Sequence, residues 1–507
     1  MTRLRRTAVL LAVFVCAACG LVYELALVAL GSYLIGDTAA QASIVLGVMV
    51  FAMGIGALAA KPLQKHALVA FAAIELLLAL FGGLSVLALY AAFAYLDLYA
   101  PALVAMALLL GMLIGAEIPL LMVLLQRIRQ QDAGSAVADL FAADYVGALL
   151  GGLAFPFLLL PVFGQLRGAL VVGVVNAVVG LAVVLTVFRR DLVRRSMVSL
   201  TAAAVAVLAV LGASYALSQR FEVTARQELY ADPVVFATQS RYQEIVLTQS
   251  IDGADVRLFL NGDLQFASRD EYRYHEALVH PVLAGARRDV LILGGGDGLA
   301  LREVLKYPDV GSVTEVELDP AVVELARTDP RLNKLNQDAF SDPRVHLLNT
   351  DAFAWLRDET PKFDAIIVDM PDPDETATAK LYSVEFYTMV KKALAPGGRV
   401  VVQSGSPYFA QRSYWCVGAS MAAAGLTAVP YHVDVPSFGD WGFFLAAADG
   451  PAPQLRLDPP TQLRFLDADG LRAATVFPAD RRRVDVPPST LMEPRILEYA
   501  REEWKGY

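Results

Sequence analysis

The sequence predicts a multi-pass α-helical membrane bundle of about seven spans, then a small antiparallel β domain, then a doubly wound α/β domain of Rossmann-like type. Three observations lead there. The chain has 507 residues, is 56% hydrophobic and has a mean hydropathy of +0.50, and the apolar excess lies in its first 217 residues. Charge divides at the same place: residues 1–217 carry 12 Lys+Arg against 9 Asp+Glu, while the remainder carries 30 against 42. From Asp289 onward the pattern changes to short apolar runs, glycine-rich turns and helical stretches in alternation. The predicted divisions are 1–217 (bundle), 218–285 (linker and β-hairpin domain), 286–450 (α/β domain) and 451–507 (C-terminal extension).

A spanning helix needs about 20 apolar residues. Such stretches run over Thr7–Leu30, Ala42–Ala60, Ala67–Leu96, Ala102–Leu125, Leu140–Val162, Ala169–Phe188 and Met197–Leu217. The first follows Arg3, Arg5 and Arg6 but is too long for a signal peptide and carries Glu24, so it reads as a retained helix. Lys61 and Lys65, Arg127 and Arg129, and Arg189, Arg190, Arg194 and Arg195 fall in alternate connections, on the side of the N-terminus. The connections around Asp37 and Asp97 are almost free of basic residues, and the one near Gln165 has only Arg167. The positive-inside rule then predicts a multi-pass protein of the cell membrane, surrounded by lipid, with a cytoplasmic N-terminus. Seven spans would deliver the second half to the opposite face, and a re-entrant segment would return it; both arrangements stay open.

Glu24, Glu75, Glu117, Asp139 and Asp144 lie within or beside the spans. Charges at that depth are costly and point to a cation site or pathway, with Glu24 and Glu117 the best placed. The plainer reading is that they sit near helix ends or pair with hydroxyls and amides. Gly54, Gly56, Gly147, Gly151 and Gly152 suit close helix packing. Cys16, Cys19 and Cys416 show neither a disulfide framework nor a metal-ligand spacing, and no metal site is predicted.

In the second half, polar Ser218–Asp232 reads as a linker. The runs Gln243–Gln249, Val256–Leu260 and Leu264–Ala267, separated by Asp252-Gly253 and Asn261-Gly262, read as an antiparallel sheet. Strands are then predicted at Asp289–Leu293, Ser312–Leu318, Val345–Asn349, Ala365–Val368 and Arg399–Gln403, with a last one at Phe444–Ala448. Ligands of such a sheet bind outside the carboxyl ends of its strands. The loop Gly294-Gly295-Gly296-Asp297-Gly298 follows the first strand, and Glu317, Asp351 and Asp369 stand at the ends of the next three. An acid at position 317 can take the two hydroxyls of a ribose. Asp351 can accept from an adenine amino group. A dinucleotide fits less well, because Asp297 would face a pyrophosphate. The domain therefore reads as a class I adenosylmethionine-type fold. Asp297 would repel the carboxylate of adenosylmethionine and favour the amine of a decarboxylated form. The acidic balance weighs against nucleic acid.

These residues resemble the spermidine synthase (polyamine aminopropyltransferase) family, in its membrane-fused branch. The matching stretches are Tyr242-Gln243-Glu244-Ile245, Leu260-Asn261-Gly262-Asp263-Leu264-Gln265, Asp270-Glu271-Tyr272-Arg273-Tyr274-His275-Glu276, Leu293 to Gly298, Val316-Glu317-Leu318-Asp319 and Asp369-Met370-Pro371-Asp372-Pro373. The resemblance spans roughly residues 232–499. It implies transfer of the aminopropyl group of decarboxylated S-adenosylmethionine, a co-substrate rather than a cofactor, to putrescine, giving spermidine and methylthioadenosine. It implies that Gln243 and Glu317 hold the ribose, Asp351 and Ala352 the adenine, and Asp297 the donor amine. Asp369 is then the base, with Tyr274, His275, Asp372 and Gln403 positioning the amines. A homodimer is implied by the resemblance alone.

The sequence departs from the family where Asp374-Glu375-Thr376 replaces a Gly-Pro turn near the adenine, and where Asn261 replaces an aspartate. Within Pro436–Phe443 the family's substrate-binding tyrosine has no assignable counterpart. Tyr408, Tyr414 and Trp415 read as core packing before a substrate cage. Two rival functions stand beside the synthase: a membrane-anchored methyltransferase, and a polyamine transporter or sensor with a non-catalytic synthase-like domain. The acceptor stays open among putrescine, cadaverine, a diaminopropane and spermidine.

Overall fold

A computed structural model describes residues 2–35, 38–96, 98–129, 133–189, 192–358 and 361–504; Asp37, Asp97 and Arg190 lie outside the described residues. The chain forms two compact units, Met1–Ala231 and Asp232–Tyr507.

The first unit is helical: α1 Thr2–Ile35, α2 Thr38–Ala59, α3 Ala67–Leu96, α4 Tyr99–Arg129, α5 Ala133–Ala154, α6 Leu160–Val187 and α7 Arg194–Glu228. By length and composition six helical stretches among the described residues could cross a membrane, one of them running Val137–Val187. A 51-residue helix would be about 75 Å long, far beyond one bilayer. It does not continue straight. Five residues of π-helix, Phe155–Leu159, follow α5, and Gly164 then takes φ 70°, ψ −179°, a conformation open almost only to glycine.

Neighbouring contacts show the chain reversing there. Gly147 and Gly151 of α5 approach the backbones of Phe14 and Ala18 of α1, so α5 runs parallel to α1. Cys16 and Tyr23 of α1 meet Glu75 and Gly82 of α3, which is parallel too. In α6, Gly180 packs on Glu75 while Gly173 packs on Ala79 and Gly83, the antiparallel sense. Gly56, Gly111 and Gly115 let α2 and α4 touch backbone to backbone, as expected of small residues; Gly54 meets nothing within 4 Å and plays no such part. Glu75 and Glu117 are 1% and 7% exposed, whereas Glu24, Asp139 and Asp144 are only half-buried.

The stretch after Leu217 is helix through Glu228, not the expected linker. Its residues form a helix readily, with Arg226 on Glu222 one turn away at 3.1 Å. Ser218 is buried and accepts from Arg167 Nε at 3.0 Å.

The second unit opens with a four-stranded meander, β1 Val234–Gln239, β2 Glu244–Gln249, β3 Val256–Leu260 and β4 Asp263–Ala267; β1 is additional to the expected sheet. The main sheet comprises β5 Asp289–Gly294, β6 Ser312–Glu317, β7 Val345–Asn349, β8 Phe363–Asp369, β9 Leu394–Gln403, β10 Thr427–Val435 and β11 Gly439–Ala447. Its order is β10-β11-β9-β8-β5-β6-β7, with β5 to β9 parallel and β10 and β11 antiparallel. The intervening helices are α8 Glu271–Leu283, α9 Leu299–Leu305, α10 Pro320–Thr328, α11 Pro330–Asn336, α12 Ala352–Trp355, α13 Thr376–Ala379, α14 Val384–Ala393, α15 Gln411–Ala423, α16 Ala468–Ala473 and α17 Arg495–Trp504.

The sheet is apolar on both faces, as a covered parallel sheet must be: residues 290–293 and 365–368 are fully buried. The C-terminal stretch is fastened by Glu276, whose carboxylate accepts from the backbone N–H groups of Arg464, Phe465 and Leu466 at 2.7–2.9 Å. Tyr414 and Trp415 are core, packed against Phe444 and Phe477; Tyr408 is 43% exposed.

Candidate active site

The parallel strands end together, and their last residues carry the acids. In register, Gly294 of β5 faces Asp369 of β8. A Cβ on Gly294 would lie 2.0 Å from the Asp369 carbonyl oxygen, so only glycine lets these two strand ends meet. Gly296 has the same role toward Glu317: a side chain there would meet Glu317 Cγ at 2.8 Å.

Glu317 accepts from the Asp319 N–H at 2.8 Å. Asp319 in turn accepts from Gln243 Nε2 at 3.1 Å and from Ser240 Oγ at 2.6 Å, which brings Gln243 from the β1–β2 turn to the end of β6. Asp297 accepts from the Leu299 N–H at 2.8 Å. Asp351 caps α12 through the N–H groups of Phe353 and Ala354 and is paired with Lys380 Nζ at 2.7 Å. A carboxylate keeps further acceptor capacity in such an arrangement. Ala352 follows it, buried.

Around Asp369 the groups are packed closely. Tyr274 Oη donates to Asp369 Oδ1 at 2.5 Å, and Oδ2 lies against Gly295. His275 stacks edge-on against Tyr274. Its Nδ1 lies 2.9 Å from the Glu271 carbonyl oxygen and 2.8 Å from the Glu271 carboxylate. Both partners are acceptors, so Nδ1 carries the proton. Gln403 Nε2 reaches the Met370 carbonyl at 2.5 Å, Asp372 Oδ1 at 3.2 Å and Tyr382 Oη at 2.7 Å, and its Oε1 accepts from Trp441 Nε1 at 3.2 Å. The expected residues therefore fall into two neighbouring groups: Gln243, Glu317 and Asp297 at the glycine loop, and Tyr274, His275, Asp369, Asp372 and Gln403 at the end of β8. Asp351 stands at the end of β7.

Among the described residues, negative charge outweighs positive at these strand ends. Burial, reinforced by Asp369 and opposed by His275, pushes the Asp297 carboxyl up to about 6. Burial pushes Glu317 and Asp372 up to about 7 each, with the fields of Asp374 and Asp263 adding to the second. Asp369 is raised by burial, against the opposing pull of His275 and Tyr274. Burial lowers the affinity of His275 for its second proton, but Glu271 outweighs it and the net shift is upward. For Asp351 burial acts upward, and Lys380 and the helix N–H groups turn the shift downward. A site of this kind is built for cations.

Sequence reasoning missed Tyr382, Trp441 and Glu315. Trp441 occupies the segment where no tyrosine counterpart could be assigned, and it packs on Phe438, which in turn packs on Tyr274. Glu315 sits one alternation before Glu317 on β6, fully buried, with neither carboxyl oxygen hydrogen-bonded among the described residues. No motif in the sequence singles it out.

Residues 271–457 match the family described as "Spermine/spermidine synthase domain". Over the whole chain the sequence is 60% identical to "Polyamine aminopropyltransferase 1" of Streptomyces coelicolor, covering 100% of this chain and 96% of that protein. It is 48% identical to "Polyamine aminopropyltransferase" of Mycobacterium tuberculosis, covering 98% and 97%. Among solved structures, a spermidine synthase in complex with the transition-state analogue AdoDATO aligns at 25% identity with a TM-score of 0.45, over 54% of this chain and 89% of that one. A chain so similar from end to end to these relatives belongs to the polyamine aminopropyltransferase family.

Proposed function

We propose that this chain transfers the aminopropyl group of decarboxylated S-adenosylmethionine to putrescine. It is a transferase of polyamine biosynthesis, and its products are spermidine and methylthioadenosine. The observation that carries the residue assignment is the short bond from Tyr274 to Asp369 at the end of β8, flanked by carboxyls that burial holds near neutrality.

Putrescine is almost wholly protonated at pH 7, and an ammonium has no lone pair with which to attack. Asp369 binds one end of the diamine and takes its proton; its raised basicity suits that task near neutral pH. The freed nitrogen attacks the aminopropyl carbon attached to sulfur. A C–N bond forms, the C–S bond breaks, and the electron pair leaves with sulfur, turning the sulfonium into the neutral thioether of methylthioadenosine. Asp372, held by Gln403, and Tyr274 with His275 align the amine for in-line attack. Asp297 holds the donor's ammonium, Gln243 and Glu317 the ribose hydroxyls, and Asp351 with the Ala352 N–H the adenine.

The helical unit is a membrane domain in this reading. The reversal at Gly164 divides Val137–Val187 into two crossings, giving seven spans, and the basic connections put the N-terminus in the cytoplasm. The working form is a homodimer.

Detergent-purified protein supplied with decarboxylated adenosylmethionine and a panel of diamines tests the reaction. Methylthioadenosine and spermidine are expected, with Asp369→Asn slower by about 10²–10⁴-fold. Equal turnover by that variant would remove Asp369 from the role of base. A methylated product from adenosylmethionine itself would replace the reaction.

A further inference from the structure

Three helices of the first unit bring together a set of donors that the transfer reaction does not use. Cys16 Sγ of α1, a Glu75 carboxyl oxygen of α3 and a Glu117 carboxyl oxygen of α4 all lie within 4.8 Å of one another. They are 3%, 1% and 7% exposed. Neither oxygen of Glu75 has a hydrogen-bond partner among the described residues. On the fourth wall, Asn176 of α6 donates Nδ2 to the Glu75 carbonyl at 3.4 Å, and its own Oδ1 is buried without a partner. No Lys, Arg or His among the described residues forms an ion pair with either glutamate.

We propose that Cys16, Glu75 and Glu117 form a binding site for one divalent transition-metal ion. Burying one unpaired carboxylate costs several kcal/mol even after relaxation, and two in contact repel each other as well. A divalent cation cancels both charges at once. The dimensions agree: donors sharing an ion at about 2.0–2.3 Å are at most about 4.6 Å apart, so small side-chain rotations complete the set. An organic diamine is too long for a cluster this tight. A sulfur donor beside two carboxylates favours Zn²⁺-like or Co²⁺-like ions over Mg²⁺ and Ca²⁺, which take oxygen ligands. Asn176 Oδ1, buried and without a partner among the described residues, is a candidate for a fourth position. No spacing in the sequence announces the site, because each ligand comes from a different helix.

Full-length protein in detergent, stripped with a chelator and then dialysed against Co²⁺ or Zn²⁺, provides the test. The expected result is one ion retained per chain by elemental analysis, with a near-ultraviolet thiolate-to-cobalt absorption band in the Co²⁺ form. Glu75→Gln and Glu117→Gln should lose the ion while the helical content of the purified chain by circular dichroism stays that of the wild type, which shows that the helical unit is folded. Cys16→Ser should lose the ultraviolet band. Absence of retained metal in the wild type overturns the proposal and leaves a protonated carboxyl pair. Equal retention in both glutamine variants, or a band unchanged in Cys16→Ser, overturns it too.

Discussion

Asp297, Glu317 and Asp372 give up their protons late, at about 6, 7 and 7, and this fixes the acid side of the pH profile. Cationic substrates bind the ionised forms. Below pH 6, kcat/KM for the diamine should fall by about tenfold per pH unit for each ionisation that binding requires, rising through pH 6–7 toward a plateau governed by the amine itself. Asp372→Asn should weaken binding and remove one ionisation from that limb; a limb of unchanged shape would take Asp372 out of the amine site. Glu315 makes a separate prediction. Burial, with the fields of Glu317, Asp297 and Asp369, raises its carboxyl well above the ordinary value. A raised folded-state value means the folded protein holds a proton that the unfolded chain releases. Its contribution to stability is therefore complete in acid and is lost at about 1.4 kcal/mol per pH unit from about pH 4.5 up to the folded value. Thermal melts should show Glu315→Gln flattening the decline in stability between pH 5 and pH 9, and parallel curves would count against this. Residues of this scale were legible unevenly. Asp369, Asp297, Glu317 and Tyr274 lie in short motifs with local causes. Tyr382, Trp441 and Glu315 matter only once β6, β8 and β11 are assembled into one sheet, and no local window carries that order.

Among the elements, the parallel strands were legible to within a few residues, because each is a short mainly apolar run that ends in a glycine, an acid or an amide. The edge hairpin was less so: β10 alternates weakly and contains Pro430, tolerated because it lies at the edge of the sheet. Strand β1 is short and mostly half-buried, which leaves little pattern to read. The polar end of α7 misled because composition was weighed over helix-forming tendency. The turn at Gly164 is the element whose failure should be most visible. Nothing lies within 4 Å of a Cβ there, so Gly164→Ala tests backbone strain alone. It should cost about 1–3 kcal/mol and lower the melting temperature of the helical unit. The kinetics of the second unit in detergent should stay unchanged, since its site draws on residues 232–507 only. An unaltered melting temperature would mean that the turn tolerates another path.

At the scale of the whole molecule, the division between an apolar, slightly basic half and an acidic half was visible from composition. The number of crossings turns on the polar connection near Gln165, which separates the apolar stretches Leu140–Val162 and Ala169–Phe188. That number decides geography. In the proposed membrane reading, with α5 and α6 running in opposite senses, the count of crossings is odd, and the chain would leave α7 on the face away from its own N-terminus. Thiol labelling in intact cells can read this directly, since the native cysteines are all buried. Ile251→Cys, at a site 93% exposed in the second unit, should react with a membrane-impermeant maleimide. Leu63→Cys, 43% exposed between α2 and α3, should react only after permeabilisation. Protection of both positions would mean an even count, with one segment entering and leaving on the same side. The left-handed φ at a single glycine thus acts as a parity bit. In the proposed membrane reading it would set the compartment that must import the sulfonium donor, clear the thioether and receive the polyamine.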